Sequence, residues 1–287
     1  PRKRALPADA RMLRQRILTA IILTPIAVAI VLFLPTPAVA AIIAAVCLMA
    51  MWEWTRLAGI TSAALQAGIV VASALALGLL WAMRDEQVAW YVIGAGIAWW
   101  LLALLWMRHF SYAAAPTREN ATLKMVAGAF AILPAWLALM KIHGGAEHGH
   151  AWALFALILI WAADTGAYFA GKRFGTTKLA PQISPNKTTA GVWGALAGAG
   201  AIAFLSGWLF HLRGFALIVL VALSLLTVLA SILGDLVESL LKRQAGVKDS
   251  GTLFPGHGGM LDRADSLFAA IPVFAAGKVL LDLAFSS

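Results

Sequence analysis

The stretch GFALIVLVALSLLTVLASIL, from Gly214 to Leu233, carries no charge and then changes abruptly into GDLVESLLKR, from Gly234 to Arg243. An apolar run of roughly 20 residues is the length of a helix that crosses the hydrocarbon core of a bilayer. The carboxylates that follow mark a place where the chain leaves that core or holds charge against protein, water or a cation. Comparable runs recur: residues 17–34, 38–52, 63–83, 88–107, 125–141, 151–170, 191–210 and 264–284 join 214–233 as candidate spans, about nine in all. Backbone groups in lipid must be bonded internally, and runs of this length suit helices better than the shorter alternating strands of a barrel. The expected fold is all-α, a polytopic integral membrane helical bundle.

Composition supports this. Of the 287 residues, 62% are hydrophobic and 12% charged, against about 25% charged in an ordinary soluble domain. The formal charge of +9 sits in short loops and forms no continuous stripe, so anionic membrane lipids and phosphate substrates fit it better than nucleic acid does. Cys47, the single cysteine, lies in an apolar run and permits neither an intramolecular disulfide nor a cysteine metal cluster. Arg2, Lys3 and Arg4, the run 17–34 and Ala38-Val39-Ala40 imitate a cleavable signal peptide, but many spans follow and Pro35 and Pro37 crowd the cleavage position.

With the N-terminus in the cytoplasm, all of the 22 Lys and Arg except Arg84, Lys141, Arg213 and Lys278 fall on the inner side, as the positive-inside rule requires. The organisation this predicts is a basic cytoplasmic segment 1–16, N-terminal transmembrane helices over 17–150, and a catalytic C-terminal region over 151–287. Its cytoplasmic loops would be 171–190 and 234–263, all within one integrated membrane domain. Gly194 and Gly198 form a small-xxx-small pair that would let one helix approach another closely.

The chemistry-bearing residues gather on that inner face. Asp164 lies near the inner end of its span, a costly position for an ionisable group. Gly166-Ala-Tyr-Phe-Ala-Gly171-Lys172-Arg173 nearly spells a P-loop, but Arg replaces the final Ser or Thr and a membrane helix replaces the preceding strand. Ser184-Pro-Asn-Lys187-Thr188-Thr189 offers hydroxyls, an amide and an ammonium just before a helix, groups suited to holding a phosphate. It reads equally as a turn with a capping residue. Asp235, Glu238, Ser239 and Lys242 form one polar stripe with apolar flanks, which predicts a helix emerging along the membrane surface. Hard oxygen ligands make Asp235 a candidate for Mg²⁺.

Farther along come Lys248-Asp249, Pro255-Gly256-His257-Gly258-Gly259 and Asp262-Arg263-Ala264-Asp265. Gly258 and Gly259 would let backbone amides approach phosphate oxygens; His257 reads equally as a group that donates a hydrogen bond to phosphate or acts as an acid, or as a simple loop histidine. Asp235, Asp262 and Asp265 could supply carboxylates to one or two divalent ions, with Lys242, Arg243, Lys248 and Arg263 neutralising phosphate charge. That combination points to phosphoryl or nucleotidyl transfer. The outer loop with His143, Glu147, His148 and His150 contains several glycines and is expected to be exposed, without catalytic duty.

Ser239-Leu-Leu-Lys242-Arg243, Lys248-Asp249 and Pro255-Gly-His257-Gly-Gly-Met-Leu-Asp262-Arg263-Ala-Asp265 closely resemble the signature of the CDP-diacylglycerol synthases, or phosphatidate cytidylyltransferases. The Asp164-Thr-Gly-Ala-Tyr168 run and Ser184-Pro-x-Lys187-Thr188 look like the same family, so the strong resemblance covers about residues 160–270; Arg14-Gln-Arg16-Ile adds a weaker match. Ala264 stands where the family usually has a bulkier apolar residue, and Ala190 where it often has Glu or Gln.

The resemblance implies a nucleotidyltransferase of the inner membrane with its site facing the cytoplasm. Its reaction would be CTP plus phosphatidic acid giving CDP-diacylglycerol plus pyrophosphate. The family's metal-binding carboxylates map to Asp235 and Asp262, with Mg²⁺ as cofactor, and Asp265 and Asp249 would orient cations or metal waters. Asp164, Ser184, Lys187, Thr188, Gly258 and Gly259 would contact substrate. A homodimer is compatible with this reading. The rival readings are a transporter or channel, for which no inverted repeat is visible, and another membrane transferase acting on lipid phosphates.

Overall fold

The computed structural model describes residues 21, 24–145, 148–253 and 258–285. His257, Glu147, the basic residues before Ile17 and the Arg14–Ile17 match lie outside the described residues.

Among the described residues, α1 (Thr24–Phe33) is a short apolar helix. The helices α2 (Thr36–Leu57), α3 (Ala63–Ala82), α4 (Val88–Arg108), α5 (Arg118–His143) and α6 (Gly149–Phe174) follow. The strands β1 (Lys178–Ala180) and β2 (Ser184–Thr188) then precede α7 (Thr189–Leu209), α8 (Gly214–Gln244) and α9 (Leu261–Phe285). Eight of these helices are long and apolar enough to cross a membrane. The expected polytopic helical bundle is therefore observed, with α1 as the described part of the first candidate span.

Side-chain oxygens at three helix starts accept otherwise orphaned amides: Ser62 from Leu65, Thr117 from Asn120 and Thr188 from Gly191. Pro272 interrupts α9 and leaves the Phe268 carbonyl without its helical donor. The indole of Trp100 on α4 donates to that carbonyl at 3.1 Å, so the break also ties two helices together.

Packing is closest where side chains are smallest. A Cβ on Gly166 of α6 would collide with the Gly194 backbone of α7, and one on Gly194 would collide with Gly166. Gly198 packs the same way, 3.0 Å from the Ala162 carbonyl when a Cβ is built on it. The expected close approach through Gly194 and Gly198 is thus made against α6. Gly234 does the same for α8 and α9, since a Cβ there would meet the Asp265 carbonyl.

Three local features differ from the sequence reading. Residues 235–242 do not form a separate surface helix: α8 continues unbroken for 31 residues, about 46 Å at 1.5 Å per residue. Its apolar part is long enough to cross a bilayer core, and the polar turns are the same helix prolonged. The 171–190 loop is mostly structured, because α6 runs to Phe174 and β1 pairs antiparallel with β2, Lys178 opposite Thr188 and Ala180 opposite Ser184.

The outer histidines are also not all in an exposed loop. His143, only 1% exposed, ends α5 and stacks on His150 with ring centroids 3.9 Å apart. Its Nε2 lies 2.9 Å from the Val31 carbonyl and its Nδ1 lies 3.0 Å from Thr36 Oγ1, while His150 Nδ1 lies 3.0 Å from the Leu32 carbonyl. The physical cause is Pro35. Lacking an N–H, it cannot satisfy Val31 one turn earlier, and the buried imidazole takes its place.

Candidate active site

At the opposite end of the bundle from those histidines, α6, β2, α7, α8 and the start of α9 enclose a cleft of about 590 Å³. Asp164, Lys172, Ser184, Lys187, Thr188, Asp235 and Ser266 line its polar part, and Ala163, Ala167, Val192, Ala195 and Ile232 its apolar part. A mixed wall of this kind suits a ligand with a charged head and an apolar body.

The carboxylates beside the cleft come together because the helices do. Gly234 lets α8 press against α9, which sets Asp235 and Glu238 beside Asp265, with one oxygen from each within 4.8 Å of the others. Like charges at this spacing repel unless cations intervene. Two lysines do so: Lys187 Nζ from β2 contacts Asp235 Oδ2 at 2.5 Å, and Lys242 Nζ contacts Glu238 Oε2 at 2.5 Å and Asp262 Oδ1 at 2.6 Å. Apart from that ammonium, the oxygens of Glu238, a residue 2% exposed, have no hydrogen-bond partner among the described residues.

Asp262 is held differently. Its Oδ2 accepts from Ser250 N at 2.9 Å, Ser250 Oγ at 2.8 Å and Gly259 N at 2.7 Å. So Asp235 and Asp262 do not share one oxygen cluster; Lys242 stands between the Asp262 carboxylate and the group formed by Asp235, Glu238 and Asp265. Gly258, at φ +80°, and Gly259 make close approaches, but to carboxylates: a Cβ on Gly258 would strike Asp262, and one on Gly259 would strike Glu53.

The other expected residues are more peripheral. The Thr188 hydroxyl caps α7 at Gly191 N, 3.1 Å away, while the residue still borders the cleft. Arg243 reaches the hairpin, its Nε donating to the Ile183 carbonyl at 3.3 Å. Lys248, Asp249 and Arg263 lie exposed on the same end. Ala264 is buried in the α9 packing.

Two acidic residues join the site that the sequence reading did not place there. Glu238 belongs to the stripe of α8 and was readable one turn after Asp235. Glu53 comes from α2, far away in the chain, where the signal was a lone carboxylate in the apolar Met51-Trp-Glu53-Trp54. It is buried and accepts from Ser250 Oγ, Met260 N and Leu261 N.

What the arrangement can do follows from its donors. Hard carboxylate oxygens, crowded and partly unsatisfied, fit a divalent cation. Lysines already paired to those oxygens can be released toward phosphate when a cation takes their place. An apolar-walled cleft beside them can admit a lipid.

Comparison with known proteins agrees with the whole chain rather than one motif. The profile described as the Cytidylyltransferase family matches residues 14–280. A phosphatidate cytidylyltransferase of Pseudomonas aeruginosa is 42% identical over 270 residues, 92% of this chain and 96% of the relative. One of Haemophilus influenzae is 36% identical over 286 residues, covering 92% and 98%. One of Bacillus subtilis is 45% identical over 129 residues, 44% of this chain and 46% of the relative. On this evidence, supported by the fold and by the cleft, the chain belongs to the cytidylyltransferase family.

Proposed function

We infer that this protein is a phosphatidate cytidylyltransferase of a cell's inner membrane, forming CDP-diacylglycerol and pyrophosphate from CTP and phosphatidic acid. The observation that carries this is likeness to such enzymes along nearly the full chain; a cleft that brings together lysines, a carboxylate of the acidic cluster and an apolar wall supports it. The charge distribution supports placing this end of the bundle in the cytoplasm, where a nucleoside triphosphate is available.

In this reading a phosphatidate oxygen attacks the α-phosphorus of CTP, the new P–O bond forms, and the bond to the β-phosphate oxygen breaks. A phosphate monoester with a second pKa of about 6 is largely ionised at neutral pH, so no dedicated base is needed. The task of the protein is to bring two polyanions together. Lys187 and Lys242 exchange carboxylate partners for substrate phosphates, and Lys172 extends the positive rim. Asp164 and Ser184 face the cleft and orient whatever enters it, with Thr188 holding the end of α7 in place. Arg243, Lys248 and Arg263 surround the approach with positive charge, and Asp249 orients them.

In this reading Asp235, Glu238 and Asp265, whose oxygens lie within 4.8 Å of one another, would hold a divalent cation, Mg²⁺, and Asp262 Oδ1 would be available to it once Lys242 leaves. Such an ion, when bound, supplies charge neutralisation and a template for phosphate oxygens.

The test is pyrophosphate release by the purified protein in detergent micelles, given phosphatidic acid and each of the four nucleoside triphosphates in turn. Release with CTP alone, dependent on both the lipid and a divalent cation, is expected. Equal turnover with every nucleotide, or none with CTP, would sink the reading. Asp262→Asn in the same assay is expected to lower CTP-dependent turnover and raise the cation concentration required.

A further inference from the structure

Glu53 stands at the far end of α2, yet its carboxylate is built into the turn that leads to α9. Oε2 accepts from Ser250 Oγ at 2.8 Å and Leu261 N at 2.7 Å, and Oε1 accepts from Met260 N at 3.0 Å. Leu261 is the first residue of α9, so two of these donors belong to a helix start whose amides have no partner inside the helix. A negative charge there also meets the positive end of the helix dipole. Glu53 thus caps α9 from another helix.

The turn is shaped around this side chain. A Cβ on Gly251 or on Gly259 would collide with the Glu53 carboxylate, so glycine at both positions is what allows the turn to close on it. Ser250, 4% exposed, sits between two carboxylates: its Oγ is 2.8 Å from Glu53 Oε2 and 2.8 Å from Asp262 Oδ2. One hydroxyl proton serves both oxygens. Asp262 in turn holds Lys242, and Lys242 holds Glu238. A continuous polar chain therefore runs from α2 to the carboxylate cluster.

We propose that Glu53 is a positioning residue for cytidylyl transfer: through Ser250 and the Gly259 amide it fixes Asp262, and through Asp262 it sets where Lys242 stands. Glu53 touches neither substrate nor cation, and the proposal rests on the functional reading above. Glutamine cannot substitute, because its amide has one accepting oxygen and turns an NH₂ toward groups that are already donors.

The test combines two variants with two readouts. Hydrogen–deuterium exchange on the metal-free protein in detergent compares residues 248–262 with the α7 segment 189–209. Glu53→Gln is expected to speed exchange in 248–262 and leave 189–209 unchanged. Ser250→Ala keeps the Glu53 contacts to Met260 and Leu261 and leaves the backbone amides of residue 250 and Gly259 on Asp262, and removes only the hydroxyl that joins Glu53 to Asp262. Both variants are expected to lower kcat and raise the half-saturating Mg²⁺ concentration, by about 10- to 100-fold for loss of a group that orients a ligand. The double variant should be no worse than Glu53→Gln alone.

Unchanged exchange in Glu53→Gln overturns the proposal. So does a Ser250→Ala protein with normal kcat and Mg²⁺ dependence, since a merely structural Glu53 would leave those untouched. If the unaltered protein fails to transfer the cytidylyl group, the functional reading falls, and the exchange comparison still decides whether Glu53 orders the turn.

Discussion

Both ends of the bundle bury ionisable side chains, and they treat them in opposite ways. At the end bearing His143 and His150, each imidazole is spent on a carbonyl of α1, one of which Pro35 had orphaned, and the rings stack on one another. At the other end Asp235, Glu238 and Asp265 crowd together, with lysines on Asp235 and Glu238, single donors from Ser239 to Asp235 and from Ser266 to Asp265, and no hydrogen-bond donor to Glu238 besides Lys242 among the described residues. A buried polar group that is fully partnered contributes stability. A cluster that keeps like charges together against their repulsion stores a binding capacity for something absent from the chain. On the proposed reading the first end is structural and the second reactive, a division that draws on partners rather than on family.

The largest effect should come from removing one charge of that cluster without changing its shape. Asp265→Asn retains an oxygen to accept from Ser266 N, which now donates to Asp265 Oδ1 at 2.7 Å. It removes the carboxylate that faces Asp235 and Glu238. Turnover is expected to fall by about 10²- to 10³-fold, the scale for losing one electrostatic partner of a reacting phosphate. Thermal stability of the metal-free protein, measured in detergent with a chelator, should instead rise by about 1 kcal/mol as repulsion is relieved. Opposite signs in the two measurements are the signature; a loss in both would make Asp265 a structural residue.

Much of this contrast was legible in the sequence. Long apolar runs announced the eight long helices and, in residues 17–34, α1 as well, and Asp164, Lys187, Asp235 and Lys242 stood out as polar groups at span ends. What the sequence could not show was partnership across distance. Glu53 is a single acidic letter in an apolar run, and nothing local says that the Ser250 turn closes on it. The lysine between Glu238 and Asp262 is similar: spacing one turn apart identifies the first pair, but the second depends on how α8 meets α9. His143 was misread for the same reason, since its carbonyl partner lies on α1 and exists only because Pro35 is there. The hairpin before α7 was missed because its strands are short, three and five residues, the second contains Pro185, and neither has an alternating apolar pattern.

A smaller effect tests whether helix proximity creates the cluster. Gly234→Ala places a Cβ against the Asp265 carbonyl, and the helices must separate to admit it, at about 1–3 kcal/mol for an overpacked contact. Asp235 then moves away from Asp265, and turnover should fall about tenfold, equivalent to about 1.4 kcal/mol in the barrier. The control is Gly200→Ala on α7, where the added Cβ meets open space and turnover should not change. Equal activity in the two variants would show that the cluster tolerates a looser α8–α9 contact than the geometry implies.

The smallest effect on turnover belongs to the other end. His143→Phe preserves a ring to stack on His150 while removing both polar contacts, to the Val31 carbonyl and to Thr36 Oγ1. The carbonyl is then buried without a donor, because Pro35 cannot supply one, and stability should drop by about 1–3 kcal/mol. With the folded fraction measured by thermal unfolding in detergent, kcat per folded molecule should equal that of the unaltered protein. The prediction is sharp because Val31 and the carboxylate cluster stand at opposite ends of helices that are continuous between them. A turnover defect in fully folded His143→Phe protein would mean that the packing of α1 against α5 is felt at the cleft, and the division between a stabilising end and a reactive end would fail.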